Sequence, residues 1–347
     1  MLDAPFYDAT LCKRGLARLA GKLVYPARGF TTQYPGTLEF KAAAEEPMLV
    51  DVISVPYRYD RHGEGVGGGP DALRGAGLVS RLREVGLAVG SETAAHLSAA
   101  DREDGRTAVN IGKLGANTAQ LISAARQAGN GALILAGDDT AAIGVVAGLQ
   151  AAAGAATPIG IVWLDAHGDF NTPETSYSGI LAGMPLAILA GLAGPLWREA
   201  AGLASPIATD RLVLAGTRDL DEKEAELLRS TDVRVVPVGE VRKGAPFAEV
   251  VDWLASRSDL LYLHVDLDVL DPRFVPSAST PAAEGLTVDE LSQAMSSVLG
   301  TGKVAAIAVT SLNPGGGPRG QRSLESVLTL LEKALPAWKE VPAQEVG

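Results

Sequence analysis

Residues 158–170 read PIGIVWLDAHGDF, an apolar run that ends in an acidic segment containing a histidine. Short runs of Val, Ile and Leu bounded by Gly or Pro are typical of strands that are buried on both faces. Six further runs of this kind lie at residues 48–55, 132–135, 211–214, 233–238, 260–265 and 304–309. Together they predict a buried sheet, with polar residues placed at the ends of its strands.

Segments with helical periodicity separate these runs, at residues 113–128, 221–229, 245–256, 287–299 and 322–335. Strands that alternate with helices predict an α/β fold with a parallel sheet, either doubly wound or closed into a barrel. The doubly wound sheet is favoured because the connections differ greatly in length. Residues 1–45 fit the alternation poorly, so we expect an N-terminal extension followed by a single domain at residues 46–347.

The composition excludes several classes of function. The formal net charge of −11 repels phosphate backbones and attracts metal ions or small cations, so no nucleic-acid partner is expected. A single cysteine rules out an intrachain disulfide, and the first residues lack the pattern of a signal peptide. The apolar runs are also too short to cross a membrane. These features predict a soluble, cytoplasmic protein.

Two clusters of potential metal ligands follow predicted strands. Asp165, His167 and Asp169 follow one strand at a spacing of two, and Asp266 and Asp268 end another. Residues two apart share a face if the strand geometry persists through the turn, and ligands bind at carboxyl strand ends in such sheets. Unpaired buried carboxylates are costly, so a metal ion is expected, unless Arg or Lys partners or solvent compensate them. Oxygen ligands with one imidazole suit Mn²⁺ better than structural Zn²⁺.

The segments DAHGDFNTP at 165–173 and DLDVLDP at 266–272 resemble the signature blocks of the ureohydrolase family, which contains arginases, agmatinases and formiminoglutamases. The resemblance continues through residues 69–74, 137–138, 218–221, 280–281, 285–286 and 313–314. It implies a three-layer α/β/α fold around an eight-stranded, mainly parallel sheet. It also implies an enzyme with two Mn²⁺ ions, in which a metal-bridging hydroxide attacks a guanidinium carbon. Members of the family are commonly homotrimers or homohexamers.

The resemblance implies a role for each residue of the metal centre. Asp165 and Asp266 would bridge the two ions, while His167 and Asp268 would hold one of them. Asp169 would hold the other ion and would also act as the catalytic residue that passes a proton to the leaving amine.

The match is closest to the arginase branch, whose members convert L-arginine to L-ornithine and urea. Asn171 and Ser178 match contacts to the substrate α-carboxylate, Asp221 matches the contact to its α-amino group, and Thr280 joins the predicted substrate contacts. A different interpretation makes Asn171 and Ser178 loop-capping side chains and Asp221 a helix N-cap.

Three positions depart from the family pattern. Asp139 replaces a histidine ligand, and it either holds a metal through oxygen or merely caps the following helix. Ala182 stands where many arginases carry a proton-shuttle histidine. Ser311 replaces a glutamate that pairs with the guanidinium, a loss of about 1.5–3 kcal/mol in binding. Two alternatives to arginine hydrolysis therefore stay open: another guanidino or amidino acid as substrate, or an impaired member with a binding or regulatory role.

Two histidines and a glycine-rich segment have weaker assignments. His264 is expected to hydrogen-bond a ligand carboxylate such as Asp169, or to be an ordinary core imidazole. His62 either takes the missing shuttle's role or lies on the surface. Residues 63–70 lack the Lys-Ser/Thr of a phosphate-binding loop, so a loop near the site is the favoured interpretation.

Overall fold

The computed structural model describes residues 48–315 and 317–339. The predicted N-terminal extension at residues 1–45 lies outside this range. In chain order the strands are β1 (Leu49–Val55), β2 (Tyr57–Arg58), β3 (Arg61–His62), β4 (Ala88–Ala94), β5 (Gly131–Ala136), β6 (Ile159–Leu164), β7 (Leu212–Thr217), β8 (Arg234–Pro237), β9 (Leu260–Asp266) and β10 (Val304–Thr310).

The α-helices of the described residues connect these strands. They are α1 (Gly69–Gly75), α2 (Leu78–Glu84), α3 (Thr107–Gln127), α4 (Ala142–Ala153), α5 (Pro185–Leu189), α6 (Pro195–Ala201), α7 (Glu222–Arg229), α8 (Val238–Lys243), α9 (Ala245–Ala255), α10 (Val288–Leu299) and α11 (Pro318–Ala334).

Eight strands form one sheet in the order β4-β1-β5-β10-β9-β6-β7-β8, and every pair in it is parallel. The predicted doubly wound, eight-stranded sheet is confirmed. Seven strands lie at predicted runs, whereas β4 was not predicted. This strand has the sequence AVGSETA and lies half-exposed at the sheet edge, so it lacks the apolar run that marks a buried strand.

The sheet separates two hydrophobic cores. Alternate residues of β6 face opposite sides, with Val162 and Leu164 in one core and Ile161 and Trp163 in the other. Helices α1, α2 and α9–α11 contribute to the first core, and α3–α6 contribute to the second. This is the three-layer α/β/α arrangement, because apolar residues on both faces of every central strand require helices on both sides.

A close backbone contact fixes the segment that follows β1 against the end of β5. A Cβ atom at Gly137 would collide with the carbonyl oxygen of Tyr57, so only glycine allows this approach. The glycine-rich segment forms a short 3₁₀ turn at Gly65–Gly68 that leads into α1. None of the helices within the described residues combines the length and the hydropathy needed to cross a membrane.

Candidate metal centre

The carboxyl ends of five adjacent strands, β5, β10, β9, β6 and β7, meet at a cavity of about 380 Å³. Most of the predicted site residues line it: Asp139, His167, Asp169, Asn171, Ser178, Asp221, Asp266, Asp268 and Thr280. Asp165 and His264 are fully buried behind the lining residues. The topology therefore gathers residues as far apart in the sequence as Asp139 and Thr280, which are separated by 141 positions, into one site.

Two groups of side chains present donor atoms that could each hold a metal ion. One consists of Asp165, His167 and Asp268, the other of Asp139, Asp165 and Asp169, with the donor atoms of each group within 4.8 Å of one another. Asp165 belongs to both groups. Asp266 belongs to neither group; its Oδ1 accepts a hydrogen bond from the Asp268 N–H at 2.7 Å, and its Oδ2 accepts one from Ser311 Oγ at 2.6 Å.

The turn after β6, and not strand alternation, brings its three ligands together. The strand ends at Leu164, and Asp169 has a φ of 47°, in the left-handed region that few non-glycine residues adopt. Asp165 Oδ1 accepts the backbone N–H of His167 at 2.7 Å, which closes the turn. The condition that strand geometry persists through residues 165–169 is not met, although the side chains do converge.

Asp169 carries a polar atom that fits a cation. Its Oδ2 is buried and has no hydrogen-bond partner among the described residues. Burying an acceptor without a partner is unfavourable, and a bound metal ion would compensate it. The donor set therefore fits the predicted divalent ions.

The pKa values of the buried carboxyl groups are also consistent with a cation site. Burial raises the pKa of Asp165 to about 8, helped by the charge of Asp268, and burial also raises the pKa values of Asp169 and Asp266. In His167, burial lowers the pKa, but hydrogen bonds to Asp165 and Asp268 outweigh it and raise the value to about 11. Without metal ions, the centre therefore retains protons that a normal carboxylate would release.

The metal-free protein should become less stable as the pH rises. A carboxyl whose pKa is raised by folding keeps its proton at pH values at which the unfolded chain has lost it. The stability that it contributes is therefore lost as the pH rises from about 4, its pKa in the unfolded chain, to its pKa in the folded protein. This loss of stability ends near pH 8 for Asp165 and near pH 7 for Glu224. The raised pKa of His167 also makes the protein less stable as the pH rises, beginning above about pH 6.5. We expect the melting temperature of chelator-treated protein to fall by on the order of 5 °C between pH 5.5 and pH 8. Calorimetry measures it, and an increase would contradict the expectation.

Asp138, and not Asp139, caps the helical turn that follows β5. Asp138 Oδ1 accepts the backbone N–H of Thr140 at 3.1 Å, and its Oδ2 accepts that of Tyr59 at 2.7 Å. The interpretation of Asp139 as a helix cap is therefore wrong. Its carboxylate is buried among the ligand groups and accepts a hydrogen bond from Thr310 Oγ1 at 2.6 Å.

His264 contacts a different carboxylate from the one expected. Its Nε2 lies 3.0 Å from Oδ1 of Asp139, and not beside Asp169. The reason lies in the sheet order, because β10 separates β9 from β5 by only one strand and the imidazole reaches across it. His264 thus contacts a ligand carboxylate, as expected, and with both ring nitrogens paired it is also a satisfied core imidazole.

The Arginase family model matches residues 49–335, which is most of the chain. The chain belongs to the arginase family. It is similar to an arginase from Bacillus caldovelox, with 33% identity over 76% of this chain and 91% of that protein, and to arginase-1 from Bos taurus, with 30% identity over 78% and 87%. The crystal structure of the Bacillus caldovelox arginase aligns with a TM-score of 0.73 and 30% identity, covering 83% of this chain and 98% of that one. The prediction of an arginase-like amidinohydrolase is confirmed.

The residues predicted to contact an amino-acid head in this arginase-family chain are close together. Asn171 Nδ2 donates to Asp221 Oδ2 at 3.2 Å, and Ser178 lies exposed at the cavity mouth. Asp221 also precedes α7 and forms a capping box with Glu224, so its two interpretations are compatible. Thr280 Oγ1 donates to Asp268 Oδ2 at 2.9 Å and so supports a ligand.

Several cavity residues escaped the sequence analysis. Arg58, Tyr59, Asp219 and Glu224 all line the cavity, and burial raises the pKa of Glu224 to about 7. Glu224 follows Asp221 by three, the capping-box spacing, so the sequence did carry a signal for it. The sequence carried no signal for Arg58, which reaches the cavity from the short strand β2. His62 lies outside this cavity and packs against Tyr57, with the ring centroids 5.0 Å apart.

Proposed function

We propose that this protein hydrolyses L-arginine to L-ornithine and urea at a centre of two Mn²⁺ ions. The observation that carries the proposal is the pair of donor groups that share Asp165 beside the cavity. Relatives at 30–33% identity that are named arginase support the choice of substrate.

The ligands divide naturally between two ions. Bound divalent ions would lower the pKa of a water molecule held between them and so supply a nucleophile at neutral pH. In this assignment His167 and Asp268 would hold one ion, Asp139 and Asp169 would hold the other, and Asp165 and Asp266 would be shared by both.

Asp169 moves the proton. Its buried carboxylate lines the cavity and belongs to one of the two donor groups. In this position it would accept a proton from the attacking water and return it to the leaving amine.

The outer part of the cavity offers contacts to both charged groups on the α-carbon of an amino acid. Asn171 and Ser178 offer polar contacts to an α-carboxylate, Thr280 lies beside the ligand Asp268, and Arg58 adds a guanidinium for an anionic group. Asp221 offers a carboxylate to the α-amino group. The acidic lining also concentrates a small cationic substrate.

A second candidate is hydrolysis of a different guanidino or amidino acid. It is favoured by Ser311, which lines the cavity where arginases place a guanidinium-binding glutamate and hydrogen-bonds Asp266 instead. Ala182 lines the same cavity and cannot shuttle protons.

Turnover of a substrate panel tests both candidates. The protein loaded with Mn²⁺ is mixed with L-arginine, agmatine and shorter and longer guanidino and amidino acids, and the release of urea or ammonia is followed. L-arginine should have the highest kcat/KM, whereas a clear preference for another acid would select the second candidate. Two bound Mn²⁺ ions without turnover of any compound would leave a binding role.

We also propose a homotrimeric or homohexameric assembly in the cytoplasm, supported by the family resemblance alone. Analytical ultracentrifugation of the purified protein gives the assembly state.

A further inference from the structure

A buried chain of hydrogen bonds lies behind the ligand carboxylate of Asp139. The hydroxyl of Tyr262 is 2.7 Å from Nδ1 of His264, and Nε2 of His264 is 3.0 Å from Oδ1 of Asp139. Tyr262 and His264 have no solvent exposure at all. Solvent therefore cannot replace any bond in this chain.

The chemistry of Asp139 fixes the direction of these bonds. A carboxylate that holds a metal ion is ionised and only accepts hydrogen bonds, so His264 must donate from Nε2. Its Nδ1 is then the acceptor for the hydroxyl of Tyr262. The remaining oxygen, Oδ2 of Asp139, has only a long contact of 3.4 Å with Ser311 Oγ and can still face the ligand group.

A second ring supports the neighbouring ligand in the same way. The indole of Trp163 donates from Nε1 to Oδ2 of Asp165 at 3.0 Å. Trp163 and His264 are paired across β6 and β9, and their rings stack with centroids 3.4 Å apart and planes 8° apart. Each ring of this stacked pair thus donates one N–H to a different carboxylate of the same metal group.

We propose that the stacked pair, with Tyr262 behind it, positions Asp139 and Asp165 as ligands and so allows an aspartate to replace the family's histidine ligand. The inference rests on the two-metal centre of the proposed function. His264 is a positioning residue here, because it acts on the ion through Asp139. Orienting partners of this kind commonly change metal affinity by about ten- to hundredfold.

Mn²⁺ binding to full-length variants tests the proposal. His264→Phe keeps a stacking ring but removes the N–H. It should lower the affinity for the ion at the Asp139 site by about ten- to hundredfold and leave the affinity for the other ion within about twofold of the wild-type value. Trp163→Phe should weaken both ions, because Asp165 belongs to both donor groups. Tyr262→Phe should lower the affinity for the same ion, but by less than His264→Phe does. Isothermal titration calorimetry and the electron paramagnetic resonance of bound Mn²⁺ provide the stoichiometry and affinities.

Trp338→Phe is the matched control, because Trp338 is also buried and donates its indole N–H to the carbonyl of Val304, away from the ligands. It should bind two ions like the wild type. His264→Gln restores a donor and should recover part of the affinity lost in His264→Phe, which separates positioning from misfolding. Unchanged binding in His264→Phe, or an equal loss in Trp338→Phe, would overturn the inference alone. Wild-type protein that binds fewer than two ions would overturn the proposed centre and the inference with it.

Discussion

Protein carrying Asp165→Asn should retain neither Mn²⁺ ion and should hydrolyse arginine about a thousandfold more slowly. Asp165 is the one described residue common to both donor groups, so its neutral amide weakens both sites together. The ions stabilise developing charge by several kcal/mol, and about 4 kcal/mol corresponds to a thousandfold change in rate. The measurements are metal content after dialysis and urea release under saturating Mn²⁺.

Asp232→Asn is the control for this prediction, since it removes the same charge from an exposed residue outside the cavity. It should keep two ions and wild-type turnover. Circular dichroism confirms that both variants are folded. Two tightly bound ions in the Asp165→Asn protein would contradict the assignment of this residue to both sites.

The second large effect is an increase in activity towards L-arginine. Ser311→Glu should raise kcat/KM for L-arginine by about ten- to hundredfold, because a carboxylate at this position can form a charge-assisted, bidentate contact with a guanidinium. Ser311 already has a φ of 66°, and its backbone N–H donates to the carbonyl of Gly137 at 2.9 Å. A glutamate at this position would therefore be attached to a backbone that a hydrogen bond already fixes. Steady-state kinetics on the panel of guanidino and amidino acids measures the gain.

Ser311→Gln has nearly the same size without the charge and should not produce the gain. If arginine is already the natural substrate, the preferred compound stays the same in Ser311→Glu and only its kcat/KM rises. If another acid is the natural substrate, its kcat/KM should fall while that for arginine rises. No change for either compound would mean that residue 311 does not contact the substrate head.

The positions of the buried strands and the ligand clusters could be anticipated because both depend on local sequence. Buried parallel strands are recognisable from the runs of Val, Ile and Leu, and carboxylates at their ends have few roles other than binding. The edge strand β4 escaped because an exposed strand has no such pattern. The turn at Asp169 escaped too, because a left-handed residue other than glycine leaves no mark in the sequence.

The partner of His264 could not be predicted, since it depends on which strand lies on either side of β10. Spacing along the chain identifies residues that share a face of one strand, but not the carboxylate that faces them from another. Arg58 is a similar case, because the Gly137 contact that holds its segment beside the cavity depends on tertiary packing. Long-range geometry decided these positions.

The two edges of the sheet limit how copies of this chain can associate. The edge strand β4 carries the exposed Ser91 and Glu92, and the opposite edge, β8, has only four residues and ends at Pro237. Charged, short or proline-terminated edges discourage strand addition by another chain. We therefore expect the proposed trimer or hexamer to assemble through helices and loops and not through a continuous intermolecular sheet.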